Sequence, residues 1–235
     1  MNILTIDIDY ISNNYYELLT TLHGFREMPD HTRNKYYWER MLQGSGVIER
    51  YLEPNLHNLR FINKIFYRAL FMGCDNVVFG YHHDGILYHI PENLNSKIFL
   101  VNIDHHHDLA RTVNGEYEAF KLGFYSEYNW ILKLENDLEY YGWIKNENSG
   151  SFTGSLPYAF QPILKDNQET VEEIMDIDGW DLIYVCLSPH HTPPKQWHYF
   201  WLMKESYEHL VNKVAKLETD HYEKDQTNFD TEVNE

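Results

Sequence analysis

Cysteine is nearly absent. The chain has two in 235 residues, Cys74 and Cys186, each among apolar neighbours. Two buried thiols in a reducing cytoplasm fit this better than a disulfide framework. Positive charge is also scarce, with 19 Lys and Arg against 36 Asp and Glu and a net charge of −17. Phosphate binding needs clustered Lys and Arg, so this balance speaks against nucleic acid as a partner. A field of this sign instead favours cations, whether metal ions or a basic substrate. No run reaches the ~18–20 apolar residues of a membrane span. Met1-Asn2-Ile3-Leu4 lacks the basic start of a signal peptide, so no membrane association and a cytoplasmic location are expected. There is no Gly-x-Ser-x-Gly elbow, and neither cysteine stands at a strand end among charges, so no protein nucleophile is indicated.

What is present is a globular composition, 43% hydrophobic, at a length that suits one α/β domain. Glu218 to Glu235 holds seven acidic residues against Lys224, with few apolar anchors. The expected division is a domain over 1–216 and a mobile acidic tail over 217–235.

The most informative stretch begins as Lys97-Ile98-Phe99-Leu100-Val101, short and apolar enough for a buried strand. It runs through Asn102-Ile103 into Asp104-His105-His106-His107-Asp108, five consecutive ionisable residues. Ligands bind at the carboxyl ends of strands in α/β folds. Asp104, His106 and Asp108 lie at i, i+2 and i+4 and can converge where the chain curls, and two carboxylates with one imidazole suit manganese. The alternative is a His-rich solvated turn.

Two other apolar runs end the same way. Asn2 to Tyr10 reads as a first strand with Asp7 and Asp9 on one face, since residues i and i+2 of a strand share a side. Unpaired carboxylates are too costly to bury in a strand interior. Asn76 to Gly80 reads as a second strand, ending in Tyr81-His82-His83-Asp84. A late strand, Trp180 to Leu187, leads into Ser188-Pro189-His190-His191. Helices are expected over much of 15–72, over 122–141, near 169–175 and over 196–216, with a loop-rich stretch from Asn146 to Gln161. Strands alternating with helices predict a single three-layer α/β domain with a mainly parallel sheet.

The strand ends together offer Asp7, Asp9, His82 and His83, Asp104, His106 and Asp108, with His190 and His191 as further candidates; six ligands exceed what one ion needs, and aspartates can bridge. Two ions about 3.5–4 Å apart would generate hydroxide near neutral pH and polarise an electrophile. His82, His190 and His191 are candidates for moving a proton.

Asp104-His105-His106-His107-Asp108 resembles the Asp-x-His-x-Asp motif of the arginase/deacetylase superfamily. Thr5-Ile6-Asp7-Ile8-Asp9 resembles its Ser-x-Asp-x-Asp motif, and Phe79-Gly80-Tyr81-His82-His83 the strand that supplies its other metal-binding histidine, in a register that favours His83. With Ser188-Pro189 through Pro193-Pro194, the set is similar to an arginase-like family that includes peptide arginases, which convert arginine to ornithine within ribosomally made peptides. The resemblance covers about 40 residues at four strand ends. It implies an arginase-like three-layer α/β/α fold and two manganese ions. Asp7 and Asp104 would bridge them, His83 and Asp108 completing one ion and His106 and Asp9 the other. The partner it implies is an arginine-containing precursor peptide, attacked by a metal-bridging hydroxide with Asp108 accepting a proton and urea released. Here the Asp-x-Asp strand comes first, whereas in arginases it follows the other motifs, which implies a permuted chain order. The acidic group that would hold the guanidinium is open among Glu127, Asp84 and Glu116. Asn129, with Ser126 and Trp130, lies in the segment that the resemblance places near the substrate's far end.

Three other readings compete. Ile103-Asp104-His105-His106 also matches the manganese-dependent Asp-His-His phosphoesterases, though no histidine precedes Asp7 and that reading leaves Asp108 and His83 unexplained. A deacetylase-like amidohydrolase would use one metal and leave Asp9 spare. A metal-stabilised binding module would have a closed site and no turnover.

Overall fold

The computed structural model describes residues 1–12, 53–74, 76–109, 125, 129–147, 149, 159–164, 168–177, 179–189 and 191–232. Six strands, β1 (Asn2–Asp7), β2 (Val77–Gly80), β3 (Ile98–Asp104), β4 (Leu138–Lys145), β5 (Ala159–Leu164) and β6 (Leu182–Cys186), form one sheet. Its order is β2-β6-β1-β3-β4-β5, and every neighbouring pair is parallel. The molecule is therefore a mixed helix-and-sheet α/β protein. No helix among the described residues is long and apolar enough to cross a membrane.

Parallel strands covered on both faces read as near-continuous apolar runs, and β1, β3 and β6 do. Ile3, Leu100, Leu182 and Tyr184 belong to the cluster formed with Ile86, Ile90, Trp130 and Ile131. The alternate positions Leu4, Ile6, Val101, Ile103, Ile183 and Val185 are equally buried. By strand alternation they face the other way. The helix α1 (Leu56–Phe71) buries Ile62, Ile65, Phe66 and Ala69. Asn55 caps it by accepting from the backbone N–H groups of His57 and Asn58, and Gly73 follows its end at φ +97°. It lies beside α2 (Gln168–Met175), where Arg68 pairs with Asp176 and Lys64 with Glu172.

The topology fixes where chemistry can sit. The chain leaves β1 for β2, two places to one side, and leaves β3 for β4 on the other side. The carboxyl ends of β1 and β3 thus flank the point where outgoing connections diverge, where α/β sheets open a crevice for ligands.

Several elements differ from the sequence expectation. β1 stops at Asp7, and Ile8–Ile11 turns as a 3-10 helix capped by the Asp7 side chain. The helix expected over 122–141 is, among the described residues, a 3-10 turn at Trp130–Leu134 followed by β4. Trp130, Ile131, Leu134 and Leu138 mimic a helical stripe, but the aromatic run that follows is buried in mid-sheet. The stretch read as loop includes the start of β5, which sits at the sheet's edge, where Pro162 is tolerated. The rest of Asn146–Gln161 lies mostly outside the described residues, as does the helical expectation over 15–52. The last helix, α3 (Trp197–Glu232), continues beyond Lys216 into the residues expected to form a tail. Met1–His198 forms one compact unit, and Tyr199–Glu235 forms a second.

Candidate metal centre

β1 delivers Asp7, and the 3-10 turn that follows delivers Asp9. The Asp7 Oδ1 accepts from the Asp9 N–H at 3.1 Å. The two carboxylates therefore converge through a tight turn, not through the pleat. The Tyr10 carbonyl just beyond accepts from Asn58 at 3.1 Å and from Asn146 at 2.7 Å, which ties the turn to α1 and to the end of β4.

Asp104 ends β3, where its Oδ1 accepts from the His106 N–H at 2.8 Å. Its carbonyl accepts from the Trp143 indole at 2.9 Å. Asp108 follows with φ +50°, a left-handed backbone uncommon for a residue with a side chain. His83 enters from the turn after β2. All six predicted ligands thus come together, and five are buried; His106 is partly exposed.

Two groups result, each able to hold an ion. Asp7, His83 and Asp104 form one, and Asp9, Asp104 and His106 the other. In the first, His83 Nδ1 lies 3.4 Å from Asp7 Oδ2, 3.1 Å from Asp104 Oδ2 and 3.0 Å from Asp108 Oδ2. In the second, His106 Nδ1 lies 3.1 Å from Asp9 Oδ2 and 3.4 Å from Asp104 Oδ1. Adjacent ligands held ~2.1 Å from a hard cation stand roughly 3 Å apart, so these spacings match a coordination shell. Both ring nitrogens of His83 and the Oδ2 of Asp9 are buried without a well-aligned hydrogen bond among the described residues. Buried polar atoms rarely stay so, and a cation in each group would answer His83 Nδ1 and Asp9 Oδ2, the two of these atoms that face other ligands.

Asp104 is shared, one oxygen to each group. The resemblance has Asp7 shared as well. In the structure its Oδ2 faces His83 and accepts from the Ser188 hydroxyl, while its Oδ1 caps the turn.

Crowded carboxylates distort the proton affinities. Burial, reinforced by Asp9 and Asp104, pushes the Asp7 carboxyl well above the usual range. Burial and then the charge of Asp104 push Asp108 up to about 7. Burial also penalises the charged form of Asp104, but the neighbouring His106 and His83 rings outweigh it and hold this carboxyl well below the usual range. Burial alone would lower His83 and His106. The carboxylates of Asp108 and Asp104 for His83, and of Asp104 and Asp9 for His106, raise both well above an ordinary imidazole. His105 and His107 go the other way because burial dominates, with His107 falling to about 4.

The remaining candidates divide. The His191 ring stands 4.7 Å from that of His106 between centroids. The His82 carbonyl accepts from the Tyr184 hydroxyl at 2.8 Å, and Asp84 is half-buried in the next turn, outside both ion-binding groups. Asn129 is buried at the start of the Trp130–Leu134 turn, with its carbonyl accepting from Leu132. His190, Glu127, Glu116 and Ser126 lie outside the described residues. Cys186 and Cys74 are not joined by a disulfide; Cys186 is buried as expected, while Cys74 is half-buried, not buried.

Sequence reasoning named Trp130 and Ser188 but missed that they grip the ligands. The Trp130 indole donates to Asp108 Oδ2 at 2.6 Å, and Ser188, itself at φ +43°, donates to Asp7. Nothing in the sequence separates Trp130 from a core aromatic. Thr5 and Asn102 did leave a signal, since each is a buried polar residue two before a ligand on the same pleat face. Thr5 Oγ1 donates to Asn102 Oδ1 at 2.5 Å, and Asn102 Nδ2 to Asp104 Oδ2 at 3.4 Å. No family model, curated protein or solved structure matches the chain.

Proposed function

We propose that this chain is a binuclear manganese hydrolase that converts arginine side chains of a peptide to ornithine with release of urea. The observation that carries the reading is the pair of Asp/His groups sharing Asp104 at the point where the sheet's connections diverge. The resemblance adds the arginase-like three-layer arrangement and the substrate class. Asp7, His83, Asp104 and Asp108 would hold one ion, and Asp9, Asp104 and His106 the other. Bound there, two divalent ions supply an activated water and a charge that polarises the electrophile.

The chain's own residues supply the rest. Asp108 accepts the proton that the attacking water loses, its carboxylate steadied by the Trp130 N–H. The departing amine nitrogen of ornithine needs a proton as its bond to the guanidinium carbon breaks. His191, whose ring lies beside that of His106, would give it, with His82 and His190 as further candidates. The acidic balance of the chain favours approach of a cationic side chain.

The test is to incubate manganese-loaded protein with arginine-containing peptides and with free arginine. A loss of about 42 Da per arginine, the balance of adding water and removing urea in metal-assisted hydrolysis, is expected for peptides only. No mass change across varied peptides, together with phosphodiester cleavage, would hand the site to phosphoester chemistry.

A further inference from the structure

We propose that Tyr184 is a positioning residue for His83: its hydroxyl, seated in a slot left by two glycines, fixes the turn that carries His83 into the ion-binding group. This rests on the reading of His83 as a metal ligand. Tyr184 lies in β6, on the sheet face that also carries Asp7 and Asp104. Its hydroxyl donates at 2.8 Å to the carbonyl of His82, and the Gly85 N–H donates to the same oxygen at 3.1 Å. That carbonyl belongs to the peptide unit joining His82 to His83. Two donors on it lock the plane from which the His83 side chain departs. The phenol ring also lies parallel to the His83 imidazole, 9° apart in plane with centroids at 6.4 Å.

The glycines show that the slot is built for the hydroxyl. A Cβ at Gly80 or at Gly85 would run into the Tyr184 oxygen. Neither glycine has a positive φ, so conformational freedom does not explain them, whereas space does. Among the described residues β2 pairs only with β6, and the segment leaving it is held on that side by backbone hydrogen bonds from Leu187 to Gly80 and from Ser188 to Tyr81. Tyr184 supplies a side-chain anchor there. It touches no reacting atom and acts only through His83.

The experiment isolates each group. In a His106→Ala background, manganese binding by calorimetry reads the His83 group, and adding Tyr184→Phe should raise the dissociation constant about tenfold, as for other partners just outside a metal's ligands. In a His83→Ala background the same substitution should change nothing. Equal affinity with and without the hydroxyl in the first background overturns the assignment. An equal loss in both backgrounds does too, because the effect would then be general loosening. Gly85→Ala provides a readout in the otherwise unaltered chain, because a Cβ there meets the Tyr184 oxygen at 2.4 Å but the ring carbon that bears it only at 3.5 Å. It should lower the melting temperature in the parent and cost much less in Tyr184→Phe, where the oxygen is gone; additive costs overturn the slot. A parent chain that takes up no manganese sinks the metal reading, and this assignment with it. A parent that binds two ions with Tyr184→Phe unaffected sinks Tyr184 alone.

Discussion

Asp104 carries more of the proposed chemistry than any other side chain, because one oxygen serves each ion-binding group. Replacing it should therefore remove two ions where replacing Asp9 removes one. We expect elemental analysis of manganese-loaded Asp104→Ala to find almost no metal, and Asp9→Ala to keep close to one ion per chain. Equal retention by both variants would contradict the sharing. The Trp130 indole offers a subtler case. Trp130→Phe keeps the buried ring but deletes the N–H that holds Asp108 Oδ2. Loss of such a partner typically weakens metal affinity 10–100-fold, and the loss should fall on the His83 group alone. At this scale the sequence was legible wherever polarity interrupts an apolar run, as at Asp7, His83 and Asp104. It was silent on the bond Trp130 makes, because an indole that packs and an indole that donates have the same letter and the same apolar neighbours.

Among the elements, a strand was legible where its apolar run ended in charge, and β1, β2, β3 and β6 all do. β4 was not, because Trp130, Ile131, Leu134 and Leu138 imitate a helical stripe and only tertiary packing separates the short 3-10 turn from the strand. The end of α1 was legible through Gly73, and its geometry makes a clean prediction. A Cβ there meets nothing within 4 Å, so Gly73→Ala tests the backbone alone at φ +97°. Urea denaturation should show a loss of roughly 1–2 kcal/mol, the cost of a left-handed residue with a side chain. α3 was legible in its first half and not in its second, where the sequence from Glu218 is acidic and poor in apolar residues. Helical segments of that kind draw little stability from packing. Ending the chain after Lys216 should therefore leave the melting temperature within about 2 °C and manganese uptake intact. A large fall in either would give the distal half of the helix a structural task.

For the molecule as a whole, the accumulation of buried carboxylates ties stability to both metal and pH. Without metal, Asp7 and Asp108 have pKa values raised by burial, Asp108 to about 7. A carboxyl raised in the folded state contributes stability that is complete below its unfolded pKa and is lost as pH rises through the folded one. His83 and His106, raised despite burial by neighbouring carboxylates, have the same sign: their contribution is full below the ordinary imidazole pKa and fades above the folded value. Asp104 and His107 have the opposite sign, each lowered and each losing its contribution as pH falls. The metal-free melting temperature mixes these trends. The difference between manganese-loaded and chelator-treated protein does not, because His105 and His107 belong to neither ion-binding group and largely cancel, while Asp104, held well below the usual carboxylate range, is ionised throughout the range tested. Metal must displace the protons that Asp7, Asp108, His83 and His106 hold most tightly at low pH, so binding releases protons and strengthens as pH rises. Binding to the folded chain then stabilises it by mass action. We therefore expect the manganese-dependent rise in melting temperature to be small near pH 5 and to grow steadily toward pH 8, with Asp104→Ala showing no such rise at any pH. A rise that is flat across that range, or equal in Asp104→Ala, would place the stabilising ions somewhere other than at the ends of β1, β2 and β3.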